Sequence, residues 1–465
     1  VIILEGYVVL SSELLAIRQT IPFVGSGTDT VSIIIAAVLM PLAFGYQTGG
    51  RFKPGFKSNG KYQSIRGKLI KNLVISLFIL IIGLSYLILN LFFYGLIELG
   101  ITNRLLLTTI YSALFLVFPV YLLGQTIPLI SNYFSKEKLS KVTGKILFFS
   151  TMGSFLGAVF STLVLMSTIG VHYTAGLNFV ILLGLIVLLS KRKASDKNIM
   201  LLGIVICAVY LNSGKTMSLL NIVENNKYNT ITFEEIEADG DIQRHLKLNN
   251  NSSSMFTRDG RKHAYIEYIE DIAIHPIVDE EMLKKNILVI GAGAFTLGLD
   301  DYHNDYDYVD IDGSLQELAE ELVLKKPIGE NKEFHAVPAR AFLTSTNKNY
   351  DLIVLDAYLG DLTLPEHLVT QEFFNQIKSK LNNNGAKIAN FIVSPNFNDA
   401  FSRNLDNTLR SVFPNITRHL IGEQDLWYNE KGLTANAIYS YRHYKDVKLD
   451  IYKDNKNRVF YDKPQ

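Results

Sequence analysis

Three runs in the second half of this 465-residue chain put residues capable of chemistry at the ends of apolar segments. Gly291-Ala-Gly293 follows Ile287–Ile290, so Gly291 permits a tight turn and Gly293 lets backbone approach a ligand closely. Asp310 closes the run Tyr308-Val-Asp310, where a carboxylate can accept both hydroxyls of a ribose. Asp356 closes Tyr350–Asp356, where a carboxylate can hold an amine or take its proton during attack. Each has a plainer reading. Tight turns produce many Gly-x-Gly runs, Asp356 could cap the next turn, and Asp305, Asp307, Asp310 and Asp312 could form a solvated acidic rim. The ribose role is preferred for Asp310 and the rim for Asp305 and Asp307. A third glycine of a dinucleotide fingerprint would fall at Thr296, so NAD is not supported. Asp361, Glu366 and His367 lie close by, and helix capping accounts for the latter two.

Bringing three such ends together takes alternating strands and helices. Strands are expected at 287–290, 308–312, 334–337, 352–355, 386–393 and 416–420. Helices are expected to open at 296–301 and to run over 314–324, 339–345, 367–380 and 398–412. That alternation implies a mainly parallel sheet with its ligand at the carboxyl ends of the strands. Upstream, 228–236 and 242–248 read as a hairpin turned at Asp239-Gly240, and 249–254 as a polar loop. Segment 265–274 is ambiguous between strand and helix.

The first half is different. Across the chain 48% of residues are apolar and 19% charged, with mean hydropathy +0.18. Apolar stretches near 2–20, 29–48, 72–97, 105–130, 146–168, 173–190 and 198–212 predict a multi-pass helical membrane domain. Such recurrence excludes a signal peptide. Lys and Arg gather after the second, fourth and sixth stretches, beginning with Arg51, Lys53 and Arg66. These connections are therefore expected in the cytoplasm. If the last stretch crosses, the soluble half lies outside the cytoplasm; if it does not, that half stays inside. Glu5 and Arg18 are read as snorkelling at opposite interfaces, Glu13 is left open, and Gly153-xxx-Gly157 is read as packing within the bundle. Pro128 should bend or end its helix. A formal charge of +1 argues against a nucleic-acid partner, and one cysteine, Cys207, excludes a disulfide framework. The nine histidines form no HExxH pattern, so no metal is expected. The first residue is Val1, and an upstream start is expected.

Together Ile287–Gly293, Val309–Asp312, Tyr350–Asp356 and Leu381–Gly385 resemble the spermidine synthases, the polyamine aminopropyltransferases. Glu13-Leu-Leu-Ala-x-Arg18, Pro22–Gly25, Phe44–Gly50, Gly124-xxx-Pro128 and Gly153-xxx-Gly157 are similar to the bacterial integral-membrane branch of that family. The resemblance implies helices over 1–213, a small β-subdomain over 214–280, a Rossmann-like, SAM-methyltransferase-like domain over 281–445, and a charged tail over 446–465. It implies transfer of an aminopropyl group from decarboxylated S-adenosylmethionine, a co-substrate rather than a resident cofactor, to putrescine or a related amine. Gly291 and Gly293 would line the nucleoside site and Asp310 would hold the ribose. Asp356 would be the amine-orienting base, and Tyr228, Tyr265 and Asp361 would be substrate-wall candidates. The chain departs from the soluble synthases at Ala294, Pro338 and Leu359, where they carry acids. Those losses support a second reading, a catalytically silent subunit or scaffold of a membrane complex. A transporter or polyamine sensor ranks third. The bilayer, a small amine and either a second copy or a membrane-complex protein are the expected partners.

Overall fold

A computed structural model describes residues 1–56, 62–132, 139–191, 195–238, 240–275, 284–358, 364–422 and 434–442. The chain divides into two compact units, 1–260 with 358–366 and 261–357 with 367–465.

The first unit is a helical bundle with a small sheet. Helices Ile2–Val24, Thr28–Gly50, Ile65–Leu84 and Tyr86–Glu98 come first. A helical line then runs over Arg104–Ser131, followed by Leu139–Phe160 with its continuation to Thr168, Val171–Leu189 and Asp196–Leu211. Five of these are long and apolar enough to cross a membrane. Their outer faces are apolar too: Leu39, Met40, Phe148, Phe155 and Leu163 are all exposed. A helix apolar all round needs an apolar surrounding. The line over 104–131 breaks at Gln125, three residues before Pro128, as expected where proline meets the preceding turn.

Glycines set the helix–helix distances. A Cβ on Gly153 would lie 2.1 Å from the Ile3 carbonyl oxygen, and one on Gly157 would lie 2.3 Å from that of Tyr7. Gly153-xxx-Gly157 is therefore a seam within the bundle, closed further by Ser11 and Ser161 at 2.8 Å. Gly45 and Gly49 seat Thr28–Gly50 against Tyr121, Gln125 and Pro128 in the same way.

Neither outer charge of the first helix snorkels. Glu5 is 2% exposed and Arg18 is 4% exposed. Arg18 instead reaches the small sheet, donating to the Asn226 carbonyl at 2.8 Å, to Thr230 Oγ1 at 3.3 Å and to Asn225 Oδ1 at 3.4 Å. A buried guanidinium needs acceptors, and the first turn of that sheet with the strand ends beside it supplies them. Asn250 Nδ2 adds a bond to the Pro22 carbonyl at 2.9 Å.

Strands are numbered along the chain. Gly55–Phe56 and Tyr62–Gln63 pair as the short hairpin β1–β2. Strands β3 (Ile222–Asn225), β4 (Thr230–Ala238), β5 (Asp241–Leu248) and β6 (Asn251–Thr257) form an antiparallel meander. The expected polar loop at 249–254 is thus mostly β6. Asn249 and Asn250 take φ of 49° and 69°, the left-handed pair that a two-residue hairpin turn requires.

In the second unit, 264–275 is helical, Ala264–Ile269 running on through a π turn. Strands β7 (Asn286–Ile290), β8 (Asp305–Asp310), β9 (Lys332–Ala336), β10 (Tyr350–Leu355), β11 (Leu381–Val393), β12 (Thr417–Ile421) and β13 (Ala435–Arg442) form one sheet in the order β12-β13-β11-β10-β7-β8-β9. The block from β11 to β9 is parallel, and β13 runs antiparallel to both its neighbours. Successive strands step one way from β7 to β9 and the other way from β10. The switch point, where open α/β sheets bind ligands, lies between β7 and β10. Helices Ala339–Ser345, Gln371–Ser379 and Ala400–Val412 match the expected pattern.

No helix opens at 296–301; the β7–β8 connection is built of turns. Phe295 and Gly298 take φ of 57° and 69°, which a right-handed helix cannot contain. Phe295 is fully buried against Tyr308 and Phe334, so aromatic packing occupies the place of the expected helix.

Candidate functional site

At the switch point the glycine loop is held between two neighbours. Gly291 N–H donates to the Val309 carbonyl at 2.9 Å, and Asp356 N–H donates to the Ile290 carbonyl at 2.8 Å. Gly291 has φ +95°, and a Cβ there would lie 2.0 Å from the Asp356 carbonyl oxygen. The close approach expected at Gly293 therefore occurs at Gly291, and towards protein backbone; Gly293 supplies a left-handed turn at φ 50°. Gly291→Ala is accordingly expected to misplace Asp356 and the loop together, costing about 2 kcal/mol or more of stability. Thermal unfolding of the variant checks this, and an unchanged midpoint would contradict the strained geometry.

Asp310 stands at the end of β8. Its Oδ2 accepts from the Ala292 N–H and its Oδ1 from the Asp312 N–H, each at 3.1 Å. Burial pushes its carboxyl up to about 6, against the pull of those N–H groups. Asp312 caps the next turn instead, with Oδ1 accepting from Ser314 Oγ at 2.7 Å.

Asp356 follows β10. Tyr265 OH donates to its Oδ2 at 3.1 Å and Asn390 Nδ2 to its Oδ1 at 3.0 Å. Burial again lifts the carboxyl to about 6, with the two donors opposing. Asn390, which sequence reasoning missed, is 2% exposed on β11. The signal was a lone amide in the apolar run 386–393. Glu270 was missed as well; it accepts from Gly298 N–H and Lys262 Nζ, both at 2.7 Å, and pins the β7–β8 turns to the helix over 264–275.

The geometry brings Gly291, Gly293 and Asp310 to one edge and joins Tyr265 to Asp356. Tyr228 belongs to the first unit, in the turn before β4, with Lys227 Nζ 4.8 Å from its ring centroid. Asp361 and Leu359 lie outside the described residues, as does the tail 446–465. Asp307 is no rim residue. It is 4% exposed and accepts from His335 Nε2 at 2.8 Å, Tyr350 OH at 2.9 Å and Lys348 Nζ at 3.0 Å, bracing β8, β9 and β10.

Known proteins resemble part of this chain. The Spermine/spermidine synthase domain family matches residues 262–421. A polyamine aminopropyltransferase of Vibrio vulnificus is 28% identical over 157 residues, 33% of this chain and 50% of that protein. The chain thus spans about half the length of this curated relative. Among solved structures, a probable spermidine synthase from Corynebacterium glutamicum is 19% identical with TM-score 0.40, covering 49% of this chain and 80% of that one. Spermidine synthase from Thermotoga maritima is 18% identical with TM-score 0.30, covering 46% and 74%. The likeness to spermidine synthases thus rests on residues 262–421, which match the Spermine/spermidine synthase domain family.

Proposed function

We propose that the second unit is an aminopropyltransferase using decarboxylated S-adenosylmethionine and putrescine or a related amine. The observation that carries this reading is the pair of half-buried carboxylates, Asp310 and Asp356, on the strand ends either side of the glycine loop. In this reading Asp310 accepts from the ribose hydroxyls and the loop 291–293 lies along the nucleoside. The acceptor nitrogen uses its lone pair to form a bond to the aminopropyl carbon next to the sulfonium. The carbon–sulfur bond breaks, its electrons go to sulfur, and neutral methylthioadenosine leaves. The proton displaced from nitrogen passes to Asp356. Orientation supplies most of the acceleration, because the sulfonium is already a good leaving group. Calorimetry on detergent-solubilised protein tests the site. Methylthioadenosine should bind and Asp310→Ala should weaken binding at least tenfold; equal binding by the variant would remove Asp310 from the site.

We also infer that the apolar helices cross a bilayer and that everything after Leu211 lies outside the cytoplasm. Asp196–Leu211 runs for 16 residues, about 24 Å, and so reaches across most of a hydrocarbon core. The connections rich in Lys and Arg share one end of the bundle. The Arg18 and Asn250 bonds hold the β3–β6 sheet at the other end. No described helix after Leu211 exceeds 13 residues, too short for a return crossing. In a Cys207→Ser background, Glu237→Cys should react with an impermeant maleimide in spheroplasts, and Lys53→Cys only after permeabilisation. The reverse pattern would overturn the orientation.

This orientation favours one further reading, a silent spermidine-synthase-like subunit of a membrane complex. A donor made in the cytosol reaches an outer site only by export. Asp310 and Asp356 are also each satisfied on both oxygens by protein donors.

A further inference from the structure

The end of the bundle that carries the basic connections has a half-open cavity of about 640 Å³. Leu69, Ile146, Phe149 and Leu188 make its wall apolar, and Arg66 and Lys145 are its charged lining residues. Both cations sit near the starts of their helices, at the level where a membrane-embedded bundle meets headgroups. Arg66 Nε donates to the Leu189 carbonyl at the end of Val171–Leu189, which holds the guanidinium at the cavity. Lys145 is exposed. Among the described residues neither cation is in an ion pair.

Two cations without an ion pair among the described residues, beside an apolar hollow, suit an occupant that is anionic at one end and hydrocarbon at the other. We propose that this cavity holds an anionic phospholipid of the cytoplasmic leaflet, with its phosphate against Arg66 and Lys145 and one acyl chain along Leu69, Ile146 and Phe149. A free phosphate would leave the apolar wall unfilled, and a zwitterionic lipid would bring a third cation towards these two. The proposal rests on the reading that these helices cross a bilayer, which the maleimide experiment decides separately.

The test is lipid retention by the full chain, delipidated in maltoside detergent and given dioleoyl phosphatidylglycerol, dioleoyl phosphatidylcholine or inorganic phosphate. Native mass spectrometry should show one retained phosphatidylglycerol, with a raised unfolding temperature, and neither effect from phosphatidylcholine or phosphate. At about 1 kcal/mol per cation, Lys145→Gln should weaken retention roughly fivefold and the pair Arg66→Gln/Lys145→Gln roughly thirtyfold. Lys145 is exposed and its substitution leaves the bundle intact, so that variant stands even if the double variant misfolds. Lys53→Gln, outside the cavity, should change nothing. Equal retention of the two lipids, retention of neither, or an unaffected Lys145→Gln would overturn the proposal.

Discussion

Asp356→Asn is expected to lower methylthioadenosine release by about 10²–10⁴-fold while leaving the protein folded. The substitution keeps the size of the side chain and one oxygen for Tyr265 OH or Asn390 Nδ2. In the proposed mechanism, what it removes is the ability to take a proton from the attacking amine. The same carboxylate sets a pH limb. Burial lifts it to about 6, so it is protonated and idle as a base below that value and ionised above it. Turnover should therefore fall as pH drops through about 6. Asn390→Leu removes a donor that favours the charged form, so its limb should move to higher pH. Turnover by Asp356→Asn equal to that of the parent would remove the residue from the chemistry.

Lys387→Met is expected to stabilise the second unit by roughly 3 kcal/mol at pH 6. Lys387 is fully buried on β11, and its Nζ has no hydrogen-bond partner among the described residues. The rings of Phe413, Phe374 and Phe391 surround it, with centroids at 4.9, 5.1 and 6.0 Å. Burial lowers its pKa from 10.5 to about 7. Between those values the unfolded chain holds the proton and the folded chain does not, so parent stability rises with pH from about 7 to about 10. Below about 7 both states are charged and the full desolvation cost is felt, reduced by attraction to the three rings. Methionine fills similar space with no charge. The variant should unfold roughly 5–10 °C higher at pH 6, with the gap narrowing by pH 10. A lower midpoint at pH 6 would show that the aromatic cage more than offsets the cost of burial.

What could be read in advance follows from what each residue type reports. Alternation of apolar strands with amphipathic helices placed β7 to β11 and their carboxyl ends, because burial and periodicity are written directly in side-chain type. Asp310 and Asp356 were visible for the same reason, as carboxylates ending apolar runs. Backbone conformation was not visible. Nothing in a phenylalanine announces φ of 57°, a conformation costing about 1–2 kcal/mol, so the missing helix after Gly293 could not be foreseen. Asn249-Asn250 did carry a turn signal, but the serines of β6 made an edge strand look like a loop. Contacts between distant segments were the other blind spot. Arg18 and Asn225 stand 207 residues apart, so a buried intramembrane-type charge looked like an interfacial one. Asn390 was overlooked because its partner, Asp356, lies on the neighbouring strand 34 positions away.

The central claim is that the carboxylates flanking the glycine loop serve aminopropyl transfer. Its most direct test is to incubate the purified, folded full chain with decarboxylated S-adenosylmethionine and putrescine and to measure methylthioadenosine and aminopropylated amine together. The account predicts equal amounts of the two products, formed faster above pH 6 than below it and abolished by Asp356→Asn. Absence of both products, from protein that also fails to bind methylthioadenosine, would contradict the transferase reading and leave the silent-subunit reading in its place.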